Sequence, residues 1–297
     1  MPRRIRIVDS TLRDGHQSPG LAIPLGARLS LAKALEAAGV DRVEAGFPGM
    51  GECETEAVRA IKGVLVKAEV SAWNRLNLAD VSASISAGVD LVHICFPLSE
   101  RQMGAKLGMG FARAASLLGD AVGLSRDAGI PCSVGLEDVS RSDEGRIRKA
   151  MGLLASLGVE EVRLADTVGV LAPLSVRWLV GLFAGEGFKV GFHAHNDLGL
   201  ACANSLVAAL SGAGLVDTTL GGIGERAGNA PLAGFLKLAS HAPGLSFGVS
   251  LEAAQEIERG FLPLLGREDF LMGLSRSRAS DITDMDTSEA GLWKKAL

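Results

Sequence analysis

The sequence predicts a (β/α)8 TIM barrel followed by a short C-terminal helical extension, and three observations carry that reading. Eight short strand-like runs alternate with helix-period segments over about 240 residues, the count and size of the barrel, whereas an open doubly wound sheet stops at about five to seven strands. The passages from helix to strand repeat one pattern, A-G-V-D, A-G-V-D, A-G-I-P, L-G-V-E and A-G-L-V, which places Gly39, Gly88, Gly129, Gly158 and Gly214 as helix C-caps. Reactive residues gather just after the strands, at the end where this fold holds its chemistry.

The first run, Ile5 to Ser10, is β-branched and ends in polar residues. Arg42 to Gly46, Glu69 to Trp73, Leu91 to Phe96, Cys132 to Leu136, Glu161 to Ala165, Val190 to His195 and Leu215 to Leu220 repeat that form. Between them lie alanine- and leucine-rich stretches of helical length and spacing: Ala27 to Ala38, Leu78 to Ala87, Phe111 to Ala128, Glu144 to Leu157 and Leu174 to Ala184. Leu198 to Val216 carries no charge and is long enough to span a bilayer, but Asn204, Ser205 and Ser211 interrupt it and Asp197 and Asp217 bracket it. It reads as a buried helix packed on the sheet. Residues 1–245 are thus expected to form the catalytic barrel, and residues 246–297 a helical extension or lid. In that extension a helix from about Leu251 to Leu265 precedes a polar stretch, R-S-R-A-S-D-I-T-D-M-D-T-S-E-A, that is either loose or closes over the site.

Composition narrows the function. Of 297 residues, 47% are hydrophobic and 22% charged, enough for a sizeable core. A net charge of −4 lacks the basic excess that counterion release from a phosphate backbone requires, which argues against nucleic acid as a partner. Cys53, Cys95, Cys132 and Cys202 are widely spaced, with no C-x-x-C pair for zinc, a cluster or a dithiol, as expected of free thiols in a reducing cytoplasm. The opening M-P-R-R-I-R-I-V-D lacks the apolar h-region of a signal peptide, so neither export nor a membrane is expected.

The chemistry is concentrated at five strand ends. The first run is followed by D-S-T-L-R-D-G-H-Q, which brings Asp9, Arg13, Asp14, His16 and Gln17 to one rim. The fifth ends in Glu137, Asp138 and Arg141, the sixth in Asp166 and Thr167. The seventh carries F-H-A-H-N-D, where two residues apart on a strand means one face, so His193 and His195 can serve one ion. The eighth leads into G-G-I-G-E-R-A-G-N, a flexible loop able to bring Glu225, Arg226 or Asn229 over the same rim. A carboxylate, two imidazoles and an amide suit a divalent ion, Mg2+ or Mn2+, with Zn2+ also compatible. His16 and His93 are expected to face this rim; Cys95 and Cys132 read as core residues.

D-S-T-L-R-D-G-H-Q, H-A-H-N-D-L-G-L-A-C-A-N-S and G-I-G-E-R-A-G-N-A-P-L closely resemble the DRE-TIM metallolyase superfamily, which includes isopropylmalate synthase, homocitrate synthase and hydroxymethylglutaryl-CoA lyase. The resemblance covers about residues 5 to 240 and favours the condensing branch, since the cysteine-bearing loop of the lyases has no counterpart here. The blocks G-M-G-E-C-E, P-L-S-E-R-Q-M-G-A-K-L-G, S-V-G-L-E-D-V-S-R-S-D and R-L-A-D-T-V-G-V-L-A-P resemble homocitrate synthases of the kind that serve nitrogenase cofactor assembly.

The resemblance implies a role for each matching residue. Asp14, His193, His195 and Asn229 are the implied metal ligands; Arg13 holds the ketone oxygen of a 2-oxo acid and Gln17 is a neighbouring polar contact. Glu137 is a catalytic carboxylate and Thr167 a contact to the substrate carboxylate; Arg141 is counted with the substrate contacts and His93 with the catalytic groups. The implied reaction is a Claisen condensation of acetyl-CoA with a small 2-oxo acid, 2-oxoglutarate favoured, in a homodimer. The family's C-terminal H-x-S-G-I-H-like motif and tyrosine have no counterpart: the last histidine is His241 and there is no tyrosine. A positioned base contributes about 10² to 10⁴ in rate, so either His16, His93 or Glu137 takes that part, a separate chain supplies it, or the reaction differs. The alternatives are a metal-dependent carbon–carbon lyase or aldolase and a non-catalytic metal-binding partner subunit.

Overall fold

The structure, a computed structural model, describes residues 2–267. Eight parallel strands close a barrel in chain order: β2 (Arg6–Asp9), β3 (Arg42–Gly46), β4 (Glu69–Asn74), β5 (Leu91–Pro97), β6 (Cys132–Glu137), β7 (Glu161–Asp166), β8 (Lys189–Ala194) and β9 (Leu215–Thr218). The last pairs with the first, Asp9 opposite Thr218. Each strand matches an expected run to within two residues at either end. The helices outside the barrel are α1 (Leu25–Ala38), α2 (Glu52–Val64), α3 (Leu78–Ala87), α4 (Glu100–Leu107), α5 (Phe111–Asp127), α6 (Glu144–Ser156), α7 (Pro173–Gly185), α8 (Ala201–Ser211), α9 (Leu232–Ala239) and α10 (Leu251–Phe261).

Local chemistry sets the helix ends. The side chains of Asn77, Ser99, Asp143 and Ser250 accept from backbone N–H groups in the first turns of α3, α4, α6 and α10. Gly39 and Gly88 close α1 and α3 in the left-handed region, with φ of 93° and 76°. Gly214 does not cap: α8 ends at Gly212, φ 125°, and Gly214 already donates to the barrel at Val190. The charge-free stretch 198–216 is not one long helix but α8 and the start of β9. Among the described residues no helix is long and apolar enough to cross a membrane.

Buried Ile, Val, Leu and Phe side chains fill the layer between strands and helices, each contributing about 1.5 to 3 kcal/mol. Inside the barrel several of the residues are charged instead. Strands β3 and β7 are not neighbours, yet Arg42 Nη1 and Nη2 reach Glu161 at 2.5 and 2.9 Å, so the pair crosses the lumen. Arg42 Nε and Arg6 Nη2 both donate to Glu69 Oε2 at 2.7 Å, which closes the barrel at its N-terminal end.

Two elements beyond the regular alternation bear on the site. A two-residue strand β1 (Arg3–Arg4) pairs with β10 (Leu245–Ser246) and returns the chain to the barrel floor. Helix α10 then packs with Ala254, Ile257 and Glu258 buried, and Glu258 Oε1 accepts from Gly221 and Ala233 N–H at 3.0 and 3.1 Å. Those bonds hold both ends of the glycine-rich loop after β9. The expected helix to Leu265 ends at Phe261, where Pro263 starts a short 3-10 turn. The polar stretch expected as a lid lies outside the described residues.

Candidate metal centre and active site

At the C-terminal end of the strands a cavity of about 150 Å3 opens between the loops. That is smaller than the roughly 300–1,000 Å3 of a drug-sized ligand's pocket and suits a small acid. A hollow of about 900 Å3 lies at the opposite end, but its Arg6, Arg42 and Lys189 are committed to Glu69, Glu161 and Glu160. The chemistry belongs to the smaller cavity.

Asp14 sits on the turn after β2, just ahead of the short helix Gly15–Gln17, and is 2% exposed. His193 lies on β8 and His195 just beyond it, and both project to the cavity as the two-residue spacing requires. Their Nε2 atoms are 3.3 Å apart and lie 3.5 and 3.9 Å from Asp14 Oδ2. Asn229 reaches the same point from the loop after β9, its Nδ2 donating to Asp14 Oδ1 at 2.8 Å. That approach needs Gly224, where a Cβ would stand 2.1 Å from Asn229 Nδ2 and 2.8 Å from Asp14 Oδ1.

This donor set fits a divalent cation. One oxygen from Asp14 and one nitrogen from each histidine lie within 4.8 Å of one another, all buried. His193 Nδ1 faces Asp217 Oδ2 at 2.9 Å; with that carboxylate as acceptor Nδ1 carries the proton and Nε2 presents a lone pair. Two imidazole lone pairs cannot rest against each other without a cation or proton between them. Burial would lower the His193 pKa, but Asp14 and Asp217 raise it to about 9, so without an ion Nε2 also carries a proton, the positive charge that a bound cation would displace. Burial and then His193 push His195 down to about 4. Asn229 Oδ1 is buried without a partner among the described residues, a further oxygen for an ion.

Asp14 and His193 belong to a closed ring of alternating charge. Arg13 Nη1 lies 2.9 Å from Asp14 Oδ2, and its Nε donates to Glu44 Oε1 at 2.5 Å. Glu44 Oε2 accepts from Arg163 Nη1 at 2.6 Å across the lumen, and Arg163 Nε lies 3.1 Å from Asp217 Oδ2, which returns to His193. Burial opposes ionisation of Glu44 and Asp14, but Arg13 holds both carboxyls far below the usual carboxylate range, Arg163 acting further on Glu44 and His193 on Asp14. Burial would likewise lower the Arg13 guanidinium, and Glu44 and Asp14 keep it charged.

Glu137 ends β6 on the far side of the barrel and lines the same cavity, held by Lys106 Nζ at 2.8 Å. Thr167 also lines it, and its Oγ1 accepts from Asp138 N–H at 2.8 Å. Gln17 and Glu225 stand at the mouth. Arg226 bridges that mouth, donating to Asp197 at 2.9 and 3.0 Å and to the Thr167 carbonyl at 2.7 Å.

Four residues sit differently from the sequence expectation. Arg141 is not in the cavity: both its donors go to Asp138 at 2.7 Å, so it braces the Glu137 turn. His16 turns into its own loop, where Nε2 accepts from Ile23 N–H at 3.1 Å. His93 lies below the rim on the cavity floor, 1% exposed, with Nδ1 2.8 Å from Ser133 Oγ, and burial followed by Arg163 holds its pKa well below the ordinary value. Cys95 lines the cavity rather than the apolar core, and burial pushes its thiol up, away from reactivity.

Sequence reasoning missed Glu44, Lys106, Arg163 and Asp217. A signal existed for two of them, Glu44 and Arg163: charges two apart in short strands, as in Arg42 and Glu44 or Glu161 and Arg163, share the barrel interior and must find partners there.

Known proteins agree with the geometry. The chain is 41% identical to a homocitrate synthase from Frankia alni over 229 residues, 77% of this chain and 65% of that protein. It is 36% identical to the homocitrate synthase subunit alpha of Clostridium pasteurianum, over 81% of this chain and 90% of that one. The alignment thus spans slightly under two thirds of the Frankia protein's length. The hydroxymethylglutaryl-CoA lyase of Pseudomonas aeruginosa superposes with a TM-score of 0.79 over 93% of this chain and 99% of its own, at 21% identity, a likeness of fold. The HMGL-like family profile matches residues 4–259, a span that holds the barrel and every member of the charged ring, and the chain belongs to that family.

Proposed function

We propose that this barrel condenses acetyl-CoA with a small 2-oxo acid, 2-oxoglutarate favoured, and releases CoA. The observation that supports this best is the placement of Arg13 beside the Asp14, His193 and His195 donor set, with Glu137 facing it across one small cavity. A divalent cation, Mg2+ or Mn2+ with Zn2+ also compatible, would be held by Asp14, His193, His195 and Asn229 and would polarise the ketone.

The protein's own groups do the rest. Arg13, kept charged by Glu44, offers its guanidinium to the ketone oxygen, where negative charge develops as the new bond forms; one such contact typically contributes about 3 to 4 kcal/mol. Glu137 accepts a proton from the acetyl methyl, and the resulting enolate carbon attacks the ketone carbon. The former ketone oxygen takes a proton and becomes a hydroxyl. Water then adds to the thioester carbonyl and the CoA thiol leaves, giving a dicarboxylic or tricarboxylic hydroxy acid. Thr167, fixed by Asp138, is placed to contact the acid's carboxylate.

Thiol release is the test: the purified protein with Mg2+ or Mn2+, acetyl-CoA and a panel of pyruvate, oxaloacetate, 2-oxoglutarate and 2-oxoisovalerate should release CoA with 2-oxoglutarate and only when metal is present. No release with any acid ends the proposal. Carbon–carbon cleavage faster than condensation would assign the ring to the lyase reaction instead. The Clostridium relative is named as a subunit, and we extend this to an assembly in which a second chain or the partner of a homodimer completes the site. Turnover by a single-chain homo-oligomer would remove the second chain.

A further inference from the structure

We infer that Arg163 receives the second carboxylate of a dicarboxylic 2-oxo acid, which makes it the residue that selects dicarboxylic over monocarboxylic substrates; this rests on the condensation reading above. Arg163 is 5% exposed and lines the cavity floor. Two of its three nitrogens are spent: Nη1 donates to Glu44 and Nε faces Asp217. The third, Nη2, is buried and has no partner among the described residues. A buried guanidinium N–H left unpaired is costly, and a carboxylate is the group its planar fork accommodates best.

The surroundings favour that ligand. His93 stands beside the guanidinium, neutral and close enough for Arg163 to depress its pKa, and it lines the same floor. Gly135 opposite leaves the ring no neighbouring Cβ; one there would stand 2.5 Å from His93 Nε2. Arg163 and His193 meet on one oxygen of Asp217, so the guanidinium lies one carboxylate away from the metal-binding imidazole. A short acid whose keto-acid end lies at Arg13 and the donor set would extend its other end down to Arg163. Charge within the ring agrees: Arg13 and Arg163 are offset by Glu44 and Asp217, so Asp14 is the ring's one uncompensated carboxylate, and a divalent cation would turn that excess positive.

The test is calorimetric binding of 2-oxoglutarate and of 2-oxopentanoate, its monocarboxylic counterpart of equal chain length, to the Mn2+-loaded protein. Wild type should bind the dicarboxylate at least about tenfold more tightly, the range of one charge-assisted hydrogen bond. Arg163→Lys keeps a charge between Glu44 and Asp217 but removes the free Nη2. It should weaken 2-oxoglutarate by roughly ten- to a hundredfold and 2-oxopentanoate by less than about threefold. Equal loss of both acids, or no loss of either, overturns the assignment of Arg163 while leaving the condensation standing. Wild-type protein that binds both acids equally overturns it without any variant. Wild-type protein that binds neither acid with metal present overturns both readings.

Discussion

Arg163 and His193 share a single oxygen: the guanidinium Nε lies 3.1 Å and the imidazole Nδ1 2.9 Å from Asp217 Oδ2. Orientation of a candidate metal-binding ring and neutralisation of a buried arginine therefore depend on one carboxylate. Asp217→Asn should lower Mn2+ affinity by about 10- to 100-fold, the usual effect of losing the partner that orients a ligating histidine. Titration followed by electron paramagnetic resonance reads this directly, and an unchanged dissociation constant would remove Asp217 from the site.

The histidines themselves are predicted to be indispensable. His193→Ala and His195→Ala should each abolish tight metal binding and turnover, and chelation of the wild-type protein should silence thiol release until Mg2+ or Mn2+ is restored. Turnover surviving in either variant contradicts the assignment.

Gly224 is a test of close approach. Gly224→Ala puts a methyl carbon into the Asn229 to Asp14 contact, so metal affinity should fall by tenfold or more, on the order of 1.4 kcal/mol, while the barrel keeps a cooperative melt. A variant that binds metal normally would show that Asn229 does not need that position.

Lys106 holds Glu137 from α4, with the lysine side chain half exposed. Such a pair adds only about 0 to 1 kcal/mol to stability. Lys106→Met should leave the melting temperature nearly unchanged and reduce kcat severalfold, because the carboxylate loses its orientation. Equal kcat for both proteins would make Lys106 a surface residue.

Asp9 gives a pH prediction that needs no metal. Burial, reinforced by Glu258 and Asp217 and opposed by hydrogen bonds from Thr11, raises its carboxyl from 3.8 to about 7. The folded state thus keeps a proton that the unfolded chain surrenders above its ordinary pKa. The contribution to stability is full below about pH 4, falls as pH rises through the interval to about 7, and is lost above it. Asp9→Asn should flatten the rise in urea sensitivity across that interval. An identical pH slope in the variant would place the titration elsewhere.

Much of the site was legible in the sequence because it obeys strand geometry. H-A-H puts two imidazoles on one face, and the adjacency of the first and last strands brings Asp14 to Asn229. Glu44 and Arg163 share a strand face with Arg42 and Glu161, a signal that was passed over, while Asp217 is a lone charge in a short apolar run that reads as core, and only closure of the barrel shows what each meets. Lys106 escaped because α4 is an extra helix between β5 and α5, outside the alternation. Gly214 misled through position: an A-G pair precedes β9 as it precedes the other strands, but Gly212 had already turned the chain.

The ionic seal made by Arg6, Arg42, Glu69 and Glu161 turns the barrel into a chamber with one door. For the condensation proposed above, depth would become sequence in time: the smaller acid would have to enter first, the bulkier thioester would lie over it, and the joined product would leave only after the CoA portion had cleared the mouth. Steady-state patterns of compulsory order, the 2-oxo acid leading, would be the kinetic signature of that architecture under the proposed reaction.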